Sequence, residues 1–122
     1  MPHYLVSIHH PDDYDPAIAE DDAMHADIHA LNREMVAAGV RAFVAGLDPA
    51  GRAVSLRAQP DGTVGVTSGP YLPGGEHVGG FWVLDVADLD AAQDWGRKAA
   101  IACRAPVEVR AIHRRPAPEK TV

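Results

Sequence analysis

His25 and His29 stand four residues apart, a spacing that on a helix puts one imidazole a turn above the other. Asp21 and Asp22 precede them, so a helix carrying this row brings a carboxylate close to a titratable ring. That pairing is what general acid/base chemistry needs: a histidine as base, with Asp22 as the candidate carboxylate that orients it. The same spacing can hold a metal, but Ala26 stands where the zinc-protease helix carries its glutamate, which excludes that hydrolysis. Any other metal site needs a third ligand from elsewhere in the chain. His9 and His10 end the first apolar run, and a His9 facing the helices would join His25 or His29. Ser68, Tyr71 and His77 surround a Gly-Pro turn and the Gly74-Gly75 pair, where they could contact a ligand at a pocket mouth. The plainer alternatives are a row of solvated helix histidines and a turn that only feeds the next strand.

The elements that must position these groups follow from hydrophobic periodicity. Tyr4 to His9 reads as a strand, with Tyr4, Val6 and Ile8 on one face and Leu5, Ser7 and His9 on the other, ended by Pro11. Asp12 to Pro16 is a turn-rich connector. Met24, Ile28, Leu31 and Met35 then form the stripe of an amphipathic helix that Gly39 closes. The two histidines lie about 100° around the helix from that stripe, at the edge of the buried face, and Asn32 continues their row.

A second strand is expected over Val40 to Gly46. Ala53 to Arg57 and Thr63 to Val66 flank Pro60-Asp61-Gly62 as a hairpin. Gly69-Pro70 sets a turn, because glycine accepts positive φ and proline fixes its own. The Gly-rich loop that follows leads into a strand over Phe81 to Val86, apolar on both faces. Asp88 can cap a second helix with Leu89, Ala92, Trp95, Ala99 and Cys103 inward, and Val107 to His113 alternates as a last strand. Trp82 and Trp95 fit core positions.

The order β-α-β-β-β-β-α-β is a split β-α-β plan, α+β and ferredoxin-like, with an extra hairpin. Two helices cover one face of an antiparallel sheet. The other face keeps apolar side chains that a second copy could cover, so a homodimer in which two sheets face each other as an α+β barrel is expected. The domain is expected over residues 1–115, with a flexible C-terminal tail over 116–122.

Composition narrows the partners. Among the 122 residues, 17 acidic against 11 basic give a net charge of -6, which argues against nucleic acid and anionic membranes and leaves a small-molecule ligand as the expected partner. No apolar run approaches the ~20 residues of a membrane span, and nothing at the start resembles a signal peptide, so a cytoplasmic location is expected. The lone Cys103 allows no internal disulfide and no cysteine-rich metal site. Gly74-Gly75 precedes a strand rather than a helix, with no Lys-Ser/Thr after it, so it is no phosphate loop and no cofactor is expected. Five of the seven histidines fall in the first 29 residues.

Several spaced segments resemble the YCII-related family, in particular its DGPF-motif branch. They are Asn32-Arg33-Glu34-Met35-Val36-Ala37-Ala38-Gly39-Val40, the turn Ser68-Gly69-Pro70-Tyr71, and Gly79 to Val86 followed by Asp88-Leu89-Asp90-Ala91-Ala92. The resemblance spans residues 4 to 113 and implies a dimeric ferredoxin-like α+β barrel. For activity it implies a His/Asp pair and lyase-like removal of a small leaving group from a ring or acid substrate. Here the turn's acid is Ser68 and its Phe is Tyr71, while the family's helix histidine aligns near Ile28, with His29 adjacent and His25 a turn earlier. Three functions therefore compete: a lyase or isomerase-like enzyme with a histidine base, a non-catalytic ligand-binding or accessory module, and a histidine-based metal-binding dimer. Fold alone does not choose among them.

Overall fold

The computed structural model describes residues 1–115; the expected tail over 116–122 lies outside the described residues. The elements run β1 (His3–Pro11), α1 (Pro16–Ala19), α2 (Asp22–Ala37), β2 (Arg41–Gly46), β3 (Val54–Ala58), β4 (Val64–Ser68), β5 (Glu76–Asp85), α3 (Leu89–Cys103) and β6 (Val107–Ile112). A four-stranded sheet has the order β2-β5-β1-β6. Its neighbouring pairs are all antiparallel, so β1 and β2 run parallel with β5 between them, and β5 and β6 run parallel with β1 between them. This is the ferredoxin-like α+β arrangement of two interleaved β-α-β units. β3 and β4 form a two-stranded sheet of their own.

The helix ends carry the signals expected of them. Asp21 accepts a hydrogen bond from the Met24 amide at 2.8 Å and starts α2, and Asp88 accepts from the Ala91 amide at 2.9 Å and starts α3. Asp15 caps the short α1, with Pro16 in its first turn, a separate helical turn that follows the connector expected over Asp12 to Pro16. Both long helices pack on the face carrying Tyr4, Val6, Ile8, Trp82 and Leu84. Met24, Leu31 and Met35 are buried from α2; from α3 the buried side is Ala92, Gly96, Ala99, Ala102 and Cys103, while Leu89 is half exposed in the first turn. Small residues on α3 let it lie close against β6.

Two departures from the expected strands decide where the site forms. β1 runs on through Pro11, and β5 starts at Glu76, five residues before Phe81, because His9, His10 and Pro11 pair with Val78, His77 and Glu76. The pairing then skips: Ile8 faces Gly80 but His9 faces Val78, leaving Gly79 as an extra residue on β5. Such a bulge reverses the inside-outside alternation beyond it. His77, which strict alternation from Trp82 would put on the open face, therefore joins His10 on the helix-covered side.

The open face of the sheet carries Phe81 and Val83, half-buried, and the exposed Phe43, whose ring lies 5.9 Å from that of Phe81. On one side of the β3–β4 hairpin, Val54, Leu56, Val64 and Val66 are exposed. No helix among the described residues is long and apolar enough to cross a membrane.

Candidate active site

Where β1 leaves the sheet, the alternation Tyr4, Val6, Ile8 continues to His10, which sits on the helix-covered side at the sheet's end. Its ring stacks on Tyr14 with centroids 3.8 Å apart and planes at 10°. Gly79 also lies against the ring, at Nδ1: an added Cβ would fall 2.9 Å from His10 Cε1 and 3.0 Å from Cγ, and closer still to Nδ1. The ring thus stacks on an aromatic face and packs against the β5 backbone.

Beside it, Glu20 follows α1 and accepts two hydrogen bonds, from the Tyr14 hydroxyl to Oε2 at 2.5 Å and from His25 Nε2 to Oε1 at 2.9 Å. Donation at Nε2 leaves His25 Nδ1 as that ring's free nitrogen. The Tyr14 hydroxyl, helped by His25, holds the Glu20 carboxyl below the usual carboxylate range. Tyr14 is pushed well above the ordinary phenol range by burial and by its bond to Glu20, so it stays a donor. Burial lowers His10 below the ordinary histidine value; the Glu20 charge opposes that shift and His9 adds to it. At neutral pH His10 is therefore a neutral imidazole, able to accept a proton.

His10, Glu20 and Gly79 form the common wall of two cavities. An outer one of about 210 Å³ is also lined by Asp12, Tyr14, Asp48 and His77. An inner one of about 180 Å³ is lined by Ile8, Met24, Ile28, Val44, Phe81 and Trp82. Trp82 Nε1 donates to Asn32 Oδ1 at 2.9 Å, and Asn32 Nδ2 donates to the Ile28 carbonyl at 3.0 Å, which fixes the inner wall. Cys103 also borders this cavity; burial pushes its thiol up to about 11, so it stays protonated.

At the outer cavity His77 Nδ1 lies 2.6 Å from Asp12 Oδ1 and Nε2 lies 2.9 Å from the Leu72 carbonyl. Two acceptors on one ring require both nitrogens to carry protons. The Leu72 carbonyl and the Asp12 carboxylate accordingly raise His77 above the ordinary histidine value. This clamp ties the loop after Ser68-Gly69-Pro70-Tyr71, where Gly69 takes φ +105°, to the end of β1. Because the folded-state value is raised, the stabilisation is complete below the unfolded value of ~6.5 and is lost as pH rises through the folded one. Urea unfolding should show a larger stability gap between the native chain and His77→Gln at pH 6 than at pH 8.5. A gap that widens with pH would contradict the clamp.

The residues singled out from sequence are dispersed. His25 meets Glu20 rather than Asp22, which is exposed at the start of α2 and lines neither cavity. His29 borders a shallow groove with Arg33 and Arg41. His9 faces the open side, with Nε2 3.9 Å from Glu108 Oε2. Ser68 ends β4 opposite Val54, and the exposed Tyr71 accepts from Arg57 at 2.8 Å; neither lines the two cavities. His77 does line the outer one. Among the described residues no group of three or more His, Cys, Asp or Glu is placed to hold a metal ion. His10, one alternation step beyond Ile8, was within reach of the strand pattern; Tyr14 and Glu20 meet only because α1 folds the connector back.

The geometry gives Gly79 a definite role. Gly79→Ala should cost about 1–3 kcal/mol through overpacking, and most of that cost should vanish when His10 is also alanine. Urea denaturation of the two single variants and the double variant measures the coupling; equal costs in both backgrounds would contradict the close approach.

Comparison with known proteins agrees with the fold. The chain is 37% identical over 78 residues to the uncharacterized protein R00369 of Rhizobium meliloti (strain 1021), a stretch covering 64% of this chain and 62% of that protein. The YCII-related domain matches residues 1–115, the whole of the sheet and both long helices. By fold and by this match, the chain belongs to the YCII-related family.

Proposed function

We propose that the chain is a small lyase or isomerase-like enzyme that moves a proton on a small organic substrate, with His10 as the base and Glu20 as the carboxylate that orders the site. The observation that carries this reading is the position of Glu20: it holds Tyr14 and His25 while standing with His10 at the wall shared by both cavities. A neutral imidazole there can take a proton from substrate, and the Glu20 charge favours the imidazolium that results. Tyr14, fixed as a donor, and His25, held through Nε2, keep that carboxylate in place. A non-catalytic binder would use the same cavities without needing a neutral histidine at their junction.

The test is exchange of substrate protons with solvent deuterium, followed by NMR across a panel of small ketones, lactones and carboxylic acids, with and without amino groups. Exchange by the native chain that falls at least ~100-fold in His10→Ala supports the reading. Saturable binding with no exchange on any bound compound favours the binding module. The turn Ser68-Gly69-Pro70-Tyr71 and the segment Gly79 to Val86 favour placement in the DGPF-motif branch. We also propose a homodimer formed through the open sheet face, supported by the uncovered Phe43, Phe81 and Val83 and by the apolar side of the β3–β4 hairpin. Light scattering at micromolar concentration should give twice the chain mass; a monomeric mass would contradict it.

A further inference from the structure

The double cavity is unequal in charge. Among the described residues lining it there are three carboxylates, Asp12, Glu20 and Asp48, and no lysine or arginine. Asp12 is offset by the doubly protonated His77, and Glu20 keeps its charge while accepting hydrogen bonds from Tyr14 and the half-exposed His25. Asp48 lines the outer cavity, is exposed, and pairs with no cation among the described residues. The Arg41 guanidinium reaches Asn32 Oδ1 at 3.2 Å and borders a separate groove. An anion entering here meets carboxylates, with the His77 ring, already paired to Asp12, as the one cationic group on the lining among the described residues, whereas a cation meets Asp48 and then Glu20.

The inner chamber sets the other half of the ligand. Its apolar side chains include Ile8, Met24, Ile28, Val44 and Trp82, with Asn32 beside them; it is the more open of the two cavities, and its volume of about 180 Å³ gives room for a body the size of a benzene ring, which a cavity of roughly 150 Å³ can hold. The only hydrogen-bonding side chains that it shares with the outer chamber are His10 and Glu20. A ligand that fills both chambers therefore needs a compact apolar body and, beside it, a group that can donate to Glu20.

We propose that the site takes a protonated amine attached to a ring or short branched apolar body, with the body in the inner chamber and the ammonium between Glu20 and Asp48. This assignment of ligand class rests on the reading of the pocket given above, but it concerns binding alone.

Three probes that share a benzyl or phenyl body separate the contributions: benzylammonium, benzyl alcohol and benzoate, titrated at pH 7 into the full chain, with the amide signals of Gly79 and Gly80 and the indole signal of Trp82 followed by NMR. Benzylammonium should saturate at a concentration at least tenfold lower than benzoate, with benzyl alcohol between them. Asp48→Asn, a change on the exposed rim, should weaken benzylammonium about threefold and leave benzyl alcohol unchanged. Benzoate binding as tightly as benzylammonium, alcohol binding as tightly as ammonium, or no saturable shift at these three positions with any probe would each overturn the proposal. Benzylammonium that binds as expected to a chain without proton-exchange activity would sustain this inference and remove the enzymatic reading; His10-dependent exchange with a preference for benzoate would do the reverse.

Discussion

Glu20→Gln is expected to lower proton exchange on a bound substrate by about 10²–10⁴-fold while leaving the fold intact. The amide has the shape of the carboxylate but only one accepting oxygen. It can keep the Tyr14 hydroxyl or His25 Nε2 as a donor; an NH2 group turned toward Tyr14 makes the hydroxyl oxygen accept instead, and one turned toward His25 opposes Nε2–H unless that ring changes tautomer. The variant also removes the charge that favours a protonated His10. A loss in kcat is expected, because the carboxylate acts on the charge that develops at His10, and for a substrate that carries an ammonium KM should rise as well, since Glu20 then also faces that charge. Circular dichroism unchanged from the native chain would show that the loss is not unfolding. Native-like turnover in this variant would contradict the role given to Glu20.

The largest effect on stability is expected at Trp82. This side chain is 2% exposed, among the largest that are fully buried. It lies across from Val6 on one neighbouring strand and Val44 on the other. Trp82→Ala removes that packing at a cost of about 3–5 kcal/mol and takes the indole N–H from Asn32 Oδ1, which then keeps the Arg41 guanidinium as its partner. Against a total stability of about 5–15 kcal/mol for a domain of this kind, the variant stands near the edge of folding. Urea unfolding should show a large fall in midpoint at an unchanged slope. Trp82→Phe keeps most of the ring packing and should cost clearly less. If the two variants cost the same, the hydrogen bond and not the packing would dominate.

The fold was largely legible because its signals are local. The Met24-Ile28-Leu31-Met35 stripe and the capping aspartates Asp21 and Asp88 mark the long helices without reference to anything distant. The alternation of β1 and the dense apolar run of β5 assign those strands to the middle of the sheet, where the order β2-β5-β1-β6 places them. Leu89 fits the helical period yet stays half exposed, since it lies in the first turn, beyond the packed part of the helix.

The candidate site was less legible because it depends on register and chain reversal. Two glycines in succession read as loop, but Gly79-Gly80 lies within β5, and the extra residue there turns His77 toward the helices. No periodicity within one segment reports such a bulge. The Tyr14–Glu20 bond forms because α1 is a single capped turn, too short to leave a helical stripe in the sequence. On the helix row His25 meets a carboxylate, and that carboxylate is Glu20, before the helix, and not Asp22 within it. Spacing in the chain is a poor guide to approach in space wherever the backbone reverses between two groups.

His10 is a neutral, half-buried imidazole whose proton affinity is supported by Glu20. Titration of the labelled histidine ring signals by NMR, in the native chain and in Glu20→Gln, measures this directly and needs no substrate. His10 should titrate below the ordinary histidine value of ~6.5, and removal of the Glu20 charge should lower it further, since that charge raises it in the native chain. A His10 that titrates at or above the ordinary value, with no response to Glu20→Gln, would contradict the central claim.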